Sequence, residues 1–256
     1  MNYNDKVVLI TGGGSGMGQL AARNCAAAGA KVAIFDLNEE GMAKTANGYD
    51  TIKCFKLDMT DAAAVEIAVQ EVTGTIGPID RLYNAAAIMP LGRILDQDTH
   101  IIHKLMDINY GGLVNITKAA LPAMVERGSG DFISFASMAG FMPAMYVGAY
   151  NATKFAALAF TEVLYHENIN SGVRFACVCP PPVATPLLQQ GKDTHWPKTL
   201  DQVPAIEPQE VLDEIDKMLD KGKLMVLPGK NAKLGYYMRR WLPGVLWKNS
   251  HKIEGI

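Results

Sequence analysis

In the stretch "YVGAYNATK", two tyrosines and a lysine stand four residues apart: Tyr146, Tyr150 and Lys154. Positions four apart share a face of a helix, so the Lys154 ammonium can stand beside the Tyr150 phenol. A free phenol titrates near 10 and is a poor acid or base at neutral pH. A neighbouring cation that stabilises the phenolate makes it a usable proton donor and acceptor. Tyr146 has Tyr150 one turn later rather than a lysine, which singles out Tyr150. The bland alternative is a surface Tyr–Lys pair without chemistry.

A second stretch with chemical potential is "TGGGSGMGQLAARNCAAAGA", directly after the apolar run "KVVLIT". Gly12, Gly16 and Gly18 allow a tight turn and close backbone approach to a pyrophosphate at the following helix N-terminus. A tight strand-to-helix turn with no ligand is the competing explanation. Asp36 ends the next apolar run, 18 residues beyond Gly18. A carboxylate there accepts the ribose hydroxyls of NAD and repels a 2′-phosphate, and neither Ser15 nor Leu37 supplies a cation. The reading is NAD(H) in preference to NADP(H).

Metal chemistry finds no support in the sequence. Cys25, Cys54, Cys177 and Cys179 form no CxxC pair, and none of the five histidines stands at ligand spacing beside them. Cys177 and Cys179 share one face of a strand and are expected as buried, reduced thiols.

Seven short, mostly apolar runs read as strands that deliver these residues: 6–11, 31–36, 51–58, 80–85, 131–137, 173–180 and 224–228. Helical patterns fall near 17–29, 39–47, 61–74, 99–127, 149–170 and 207–221. That alternation implies right-handed βαβ units in a single α/β domain, a doubly wound parallel sheet of about seven strands with helices on both faces. Residues 1–228 read as the catalytic domain, including a proline-rich substrate loop at 180–206. Residues 229–256 read as a C-terminal extension.

Composition limits the rest. The 256 residues are 49% apolar and carry a formal charge of −2, which gives no electrostatic case for nucleic acid. The N-terminus lacks the pattern of a secretory signal, and no apolar run reaches the length of a membrane span. A cytoplasmic protein is expected.

Several motifs in order make the chain resemble the short-chain dehydrogenase/reductase family over about residues 5–228, with its Rossmann fold. "TGGGSGMG" matches TGxxxGxG, which implies that Gly12, Ser15, Gly16, Met17 and Gly18 cradle the cofactor, with Asp36 and Leu37 at the ribose. "LDMTD" places Asp58 and Met59 where the family contacts adenine. "LYNAAA" stands for the usual NNAG, carrying Asn84, Ala85 and Ala86, with Ala87 in place of glycine. "NYGG" puts Asn109 where a helix-kinking, water-holding asparagine lies. "ISFASMAG" supplies Ser137, and "YNATK" is the YxxxK motif of Tyr150 and Lys154, which also contact the cofactor. "PPPVATP" resembles PGxVxTP, with Pro180, Val183 and Thr185 near the nicotinamide and Pro181 in place of glycine.

The resemblance implies an NAD-dependent oxidoreductase that interconverts a secondary alcohol and a ketone. Ser137 would bind the substrate oxygen, Tyr150 exchange its proton, Lys154 stabilise the phenolate, and Asn109 order a water toward Lys154. The apolar "MAGFMPAMY" nominates Met138, Met145 and Tyr146 as substrate-lining and favours a lipophilic substrate such as a hydroxysteroid. Two other readings compete: a 3-oxoacyl-thioester reductase, and a non-catalytic dinucleotide-binding sensor. In the tail, Leu234, Tyr237, Met238, Trp241, Leu242, Val245 and Leu246 recur at helix-like spacing, broken by Pro243 and Gly244. That face is expected to pack on its own domain or a partner subunit, or else to form a flap over the pocket or a dock on a lipid surface. The extension favours a homodimer over a tetramer.

Overall fold

The structure, a computed structural model, describes residues 3–256. Seven strands, β1 (Val7–Thr11), β2 (Lys31–Asp36), β3 (Ile52–Lys56), β4 (Ile79–Asn84), β5 (Gly130–Phe135), β6 (Val173–Val178) and β7 (Met225–Val226), form one parallel sheet. Their order is β3-β2-β1-β4-β5-β6-β7, the doubly wound arrangement that the strand–helix alternation implies. The chain reverses direction across the sheet between β1 and β4, and the crevice at that switch point lies at the carboxyl ends of the strands.

Both faces of the sheet are covered, which is why its strands read as continuous apolar runs. Side chains alternate along β1: Val7 and Leu9 enter one core, Val8 and Ile10 the other. The first core is closed by α3 (Ala62–Thr75), α5 (Gly112–Arg127) and α6 (Gly148–Glu167), through Val65, Ile116 and Ala157 among others. The second is closed by α1 (Gly16–Ala27), α2 (Glu39–Ala46) and α9 (Pro208–Asp220), with Ala22, Met42 and Ile215 fully or almost fully buried.

The long helical pattern at 99–127 is not one regular helix. It consists of α4 (Thr99–Met106), a π-helical turn at Asp107–Gly111, and α5. The proline-rich connection contains two short helices, α7 (Pro186–Lys192) and α8 (Lys198–Asp201). The tail forms α10 (Gly229–Trp241) and α11 (Pro243–Glu254), interrupted at Leu242 where Pro243 starts the second helix. Among the described residues no helix is long and apolar enough to cross a membrane.

Candidate active site

The glycine turn is shaped by how closely other backbone approaches it. Gly12 has a left-handed φ of 70°, and a Cβ there would lie 2.8 Å from the Ala86 Cα at the end of β4. A Cβ on Gly18 would lie 2.2 Å from the Gly12 carbonyl oxygen. The turn therefore folds flat against the sheet and opens the N-terminus of α1 toward the crevice. Thr11, which the sequence reading passed over, fastens the neighbouring loop. Its hydroxyl donates to Asn84 Oδ1 at 2.9 Å and accepts from the Ala85 and Ala86 amides at 3.1 Å.

Asp36 closes this cradle. One carboxylate oxygen accepts from the Gly14 amide at 2.8 Å and the other from the Asn38 amide at 2.9 Å. Ser15, Gly16, Met17, Leu37, Asp58, Met59, Ala85 and Ala86 border the same cavity, as do Pro180, Val183 and Thr185 from the loop after β6. The cavity encloses about 1060 Å³. Asn84 is an exception among the expected cofactor contacts. It is buried behind the wall, with its amide oxygen committed to Thr11, and so it positions the loop.

The β5 strand and α6 bring the chemical groups into the same cavity. Ser137 follows β5, its hydroxyl accepts from the Ala139 amide at 3.0 Å, and it borders the cavity together with Tyr150. Tyr150 and Lys154 lie one turn apart on α6 and are 5% and 3% exposed. Lys154 Nζ donates to the Phe135 carbonyl at 2.8 Å and stands 5.6 Å from the centre of the Tyr150 ring. Burial pulls the Lys154 ammonium down to about 8. The Tyr150 phenol is pushed well above its usual value by burial, against a smaller lowering from Ser137. The expected lowering of Tyr150 by Lys154 is thus corrected: the ammonium is turned to a carbonyl, and desolvation dominates the phenol.

Asn109 is buried in the π-helical turn, whose wider winding interrupts the regular α-helix between α4 and α5. Its oxygen accepts from the Ile88 amide at 2.8 Å, and its nitrogen donates to the Ile88 carbonyl at 3.0 Å and Thr153 Oγ1 at 3.1 Å. Those bonds engage the amide that was expected to hold a water toward Lys154. Asn109 clamps the loop after β4 to α6.

The substrate-side expectations divide. Met138 borders the cavity, whereas Met145 and Tyr146 do not. Tyr146 precedes α6 with a left-handed φ of 65°, so it does not continue the helical face of Tyr150 and Lys154. Its ring instead meets His195, with centroids 4.3 Å apart. The wall is completed by Met142, from the same "MAGFMPAMY" stretch, and by three residues that the sequence reading missed: Leu188, Trp196 and Leu200. Their signal was only that the 180–206 connection is long. Asn151, next to Tyr150, holds the wall's shape by donating to the Ala139 carbonyl at 2.7 Å and accepting from the Ala144 amide at 3.2 Å.

Comparison with known proteins agrees with this architecture. The short chain dehydrogenase family model matches residues 6–196. A putative oxidoreductase, SadH, of Mycobacterium tuberculosis is 30% identical over 245 residues, covering 91% of this chain and 89% of that protein. The 2-(S)-hydroxypropyl-CoM dehydrogenase 3 of Xanthobacter autotrophicus is 36% identical over 197 residues, covering 74% and 77%. Among solved structures, a short-chain dehydrogenase from Streptomyces avermitilis superposes with a TM-score of 0.84 at 26% identity, covering 99% and 98%. The chain belongs to the short-chain dehydrogenase family and is an oxidoreductase of that family.

Proposed function

We propose that this short-chain dehydrogenase interconverts a secondary alcohol and its ketone, with NAD(H) as cofactor, and that its substrates are lipophilic. The observation that carries the reading is one cavity bordered at one end by the glycine cradle and Asp36, and at the other by Ser137, Tyr150 and Lys154. The similar Xanthobacter protein is named for a 2-hydroxypropyl group, itself a secondary alcohol, which supports the reaction class. A 3-oxoacyl-thioester reductase is disfavoured by Asp36 where that class commonly resembles NADP users. A mere sensor has no use for a buried Ser–Tyr–Lys set.

The residues present fit a dinucleotide. The cradle has no room for side chains at Gly12 and Gly18. Asp36 presents acceptors at the carboxyl end of β2, where a 2′-phosphate meets like charge. When bound, the nicotinamide supplies the hydride acceptor or donor. Gly16, Met17 and the opening of α1 would hold the diphosphate, Asp58 and Met59 would flank the adenine, and Thr185 with Val183 would border the nicotinamide end.

Ser137 binds the substrate oxygen and steers it toward Tyr150. At neutral pH the raised phenol is protonated, so Tyr150 gives its proton to the ketone oxygen in reduction and is left as the phenolate; in oxidation the phenolate form takes the proton of the alcohol and the phenol is restored. Lys154 holds the carboxyl end of β5 through the Phe135 carbonyl and supplies a positive charge beside the phenol ring. Asn109 positions the wall through Ile88 and Thr153. Residues 1–228 act as the catalytic unit, while the 229–256 extension covers the methionine wall from outside.

The test is a spectrophotometric screen of NAD reduction across secondary alcohols graded by size and lipophilicity. Turnover that grows with lipophilicity, and that favours NAD over NADP, is the expected result. Equal use of both cofactors would sink the cofactor assignment. Activity confined to small hydrophilic alcohols would sink the substrate class.

A further inference from the structure

The tail packs in the opposite sense to an ordinary surface helix. On α10 the inward residues are small: Ala232 and Gly235 are buried. A Cβ on Gly235 would lie 3.1 Å from the Met142 sulfur and 3.4 Å from the Met138 sulfur, so the helix rests directly on the methionine wall of the cavity. Tyr236 adds an edge-on contact with Phe141 at 5.3 Å. The large apolar side chains point the other way. Leu234, Tyr237 and Trp241 are 59%, 61% and 73% exposed, and their spacing of three and four places them on one face. Leu242 and Val245 extend that surface past the break between the helices.

Charge is segregated along with the apolar surface. Residues 229–256 carry six lysines and arginines against one acid, Glu254, whereas the whole chain is at −2. The extension is therefore at +5 and residues 1–228 at −7. Lys230, Lys233 and Arg240 are exposed beside the Leu234–Tyr237–Trp241 face, and Arg240 lies over the Trp241 ring at 5.9 Å. Lys233 is shared with Glu214 at 3.6 Å. The single acid is turned inward, accepting from the Thr199 amide at 2.8 Å and so tying α11 to α8 of the substrate loop.

We infer that the outer face of α10, continued onto the start of α11, docks on an anionic lipid surface. An exposed aromatic and aliphatic face flanked by cations, with no acid on the helix, matches the interfacial zone of a bilayer, where tyrosine and tryptophan rings sit at the headgroups. Lysines and arginines add attraction to anionic headgroups. A second copy of the chain is the weaker occupant. Its acidic body attracts the cations but offers the tyrosine and tryptophan no headgroup zone. Docking sets the methionine wall one helix away from lipid, with the Glu254-tethered substrate loop beside that helix pair, a short path for an apolar substrate. The binding inference stands on the tail alone; only this last consequence rests on the lipophilic-substrate reading.

The full-length protein should co-sediment with phosphatidylcholine vesicles containing roughly 30% phosphatidylglycerol, and much less with phosphatidylcholine alone or at high salt. Tryptophan fluorescence should shift to the blue on binding, and a variant that keeps Trp241 but replaces Trp196 and Trp247 with Phe should retain that shift. Leu234→Ser/Tyr237→Ser/Trp241→Ser should abolish sedimentation. Lys230→Glu/Arg240→Glu should weaken it by roughly 10- to 100-fold. Both variants change exposed side chains and should keep the parent's oligomeric state and its turnover of a water-soluble alcohol. Absence of vesicle binding, or binding that survives both variants, overturns the inference. A change of oligomeric state in either variant overturns it too, because the face would then lie between copies of the chain. If docking holds while the alcohol screen shows only hydrophilic substrates, the membrane site stands and the substrate class falls.

Discussion

Lys154 gives the most quantitative test of the site. Its ammonium titrates at about 8 instead of 10.5 because burial withdraws it from water. At about 1.4 kcal/mol per pKa unit, keeping that charge inside the fold destabilises the protein by about 3 kcal/mol at neutral pH. The folded value lies below the unfolded one, so the penalty is complete below about pH 8 and fades as pH rises toward about 10.5. Lys154→Met keeps an apolar stem and removes the charge, along with the hydrogen bond to the Phe135 carbonyl. Loss of that bond costs about 1–2 kcal/mol, which leaves the variant more stable than its parent by roughly 1–2 kcal/mol at about pH 7. Urea unfolding of both proteins at about pH 7 and about pH 10 measures this, and the difference should move against the variant by roughly 2–3 kcal/mol between them. The variant should also lose nearly all turnover, which ties the buried charge to chemistry at the expense of the fold. A variant less stable than its parent at neutral pH, or a difference that ignores pH, refutes the reasoning.

The remaining predictions concern the two ends of the cavity. Tyr150→Phe should lower kcat by about 10²–10⁴ while NADH binding, read by fluorescence titration, is retained; ordinary turnover would place the proton donor elsewhere. Tyr146→Phe keeps the ring that meets His195 and should leave kcat nearly unchanged, and a loss as large as that of Tyr150→Phe would reverse the choice between the tyrosines. Asp36→Ala should narrow or reverse the NAD preference, measured as the ratio of kcat/KM values, and an unchanged ratio removes Asp36 from cofactor selection. Gly18→Ala drives a methyl group to within 2.2 Å of the Gly12 carbonyl oxygen, so the turn must open. Dinucleotide affinity should then fall by roughly tenfold or more, and a normal titration would show that the turn does not hold the cofactor.

The parts of this molecule legible in the sequence are those governed by short-range periodicity and by glycine. Val7 through Ile10 read as a buried strand because each side chain enters one core or the other, and the structure buries all four together with Thr11. Pro243 marks the break in the tail for a local reason, the fixed φ of a helix's first turn. What escaped the reading depends on partners distant in the chain. The π-helical turn at Asp107–Gly111 follows from the need of Asn109 to reach Ile88 and Thr153, and no spacing in "MDINYGG" announces it. Thr11 looks like any strand residue until Asn84, Ala85 and Ala86 converge on its hydroxyl.

Tyr146 shows how a regular spacing can mislead. Its interval of four from Tyr150 suggests one helical face, but intervals carry that meaning only where the backbone is helical. Here the chain turns through a left-handed conformation at Tyr146, a strain of order 1–3 kcal/mol for a residue with a side chain. The surrounding contacts over-determine it. The Tyr146 carbonyl accepts from the Gly92 amide at 2.8 Å, and its ring meets His195 of the substrate loop. The same loop is pinned a second time where Thr194 Oγ1 accepts from the Leu91 amide at 2.9 Å. Tyr146 therefore joins three segments that meet in space and are far apart in sequence: the loop after β4, the start of α6 and the substrate loop. Spacing made it a rival to Tyr150, and the fold makes it a clasp for the wall around Tyr150.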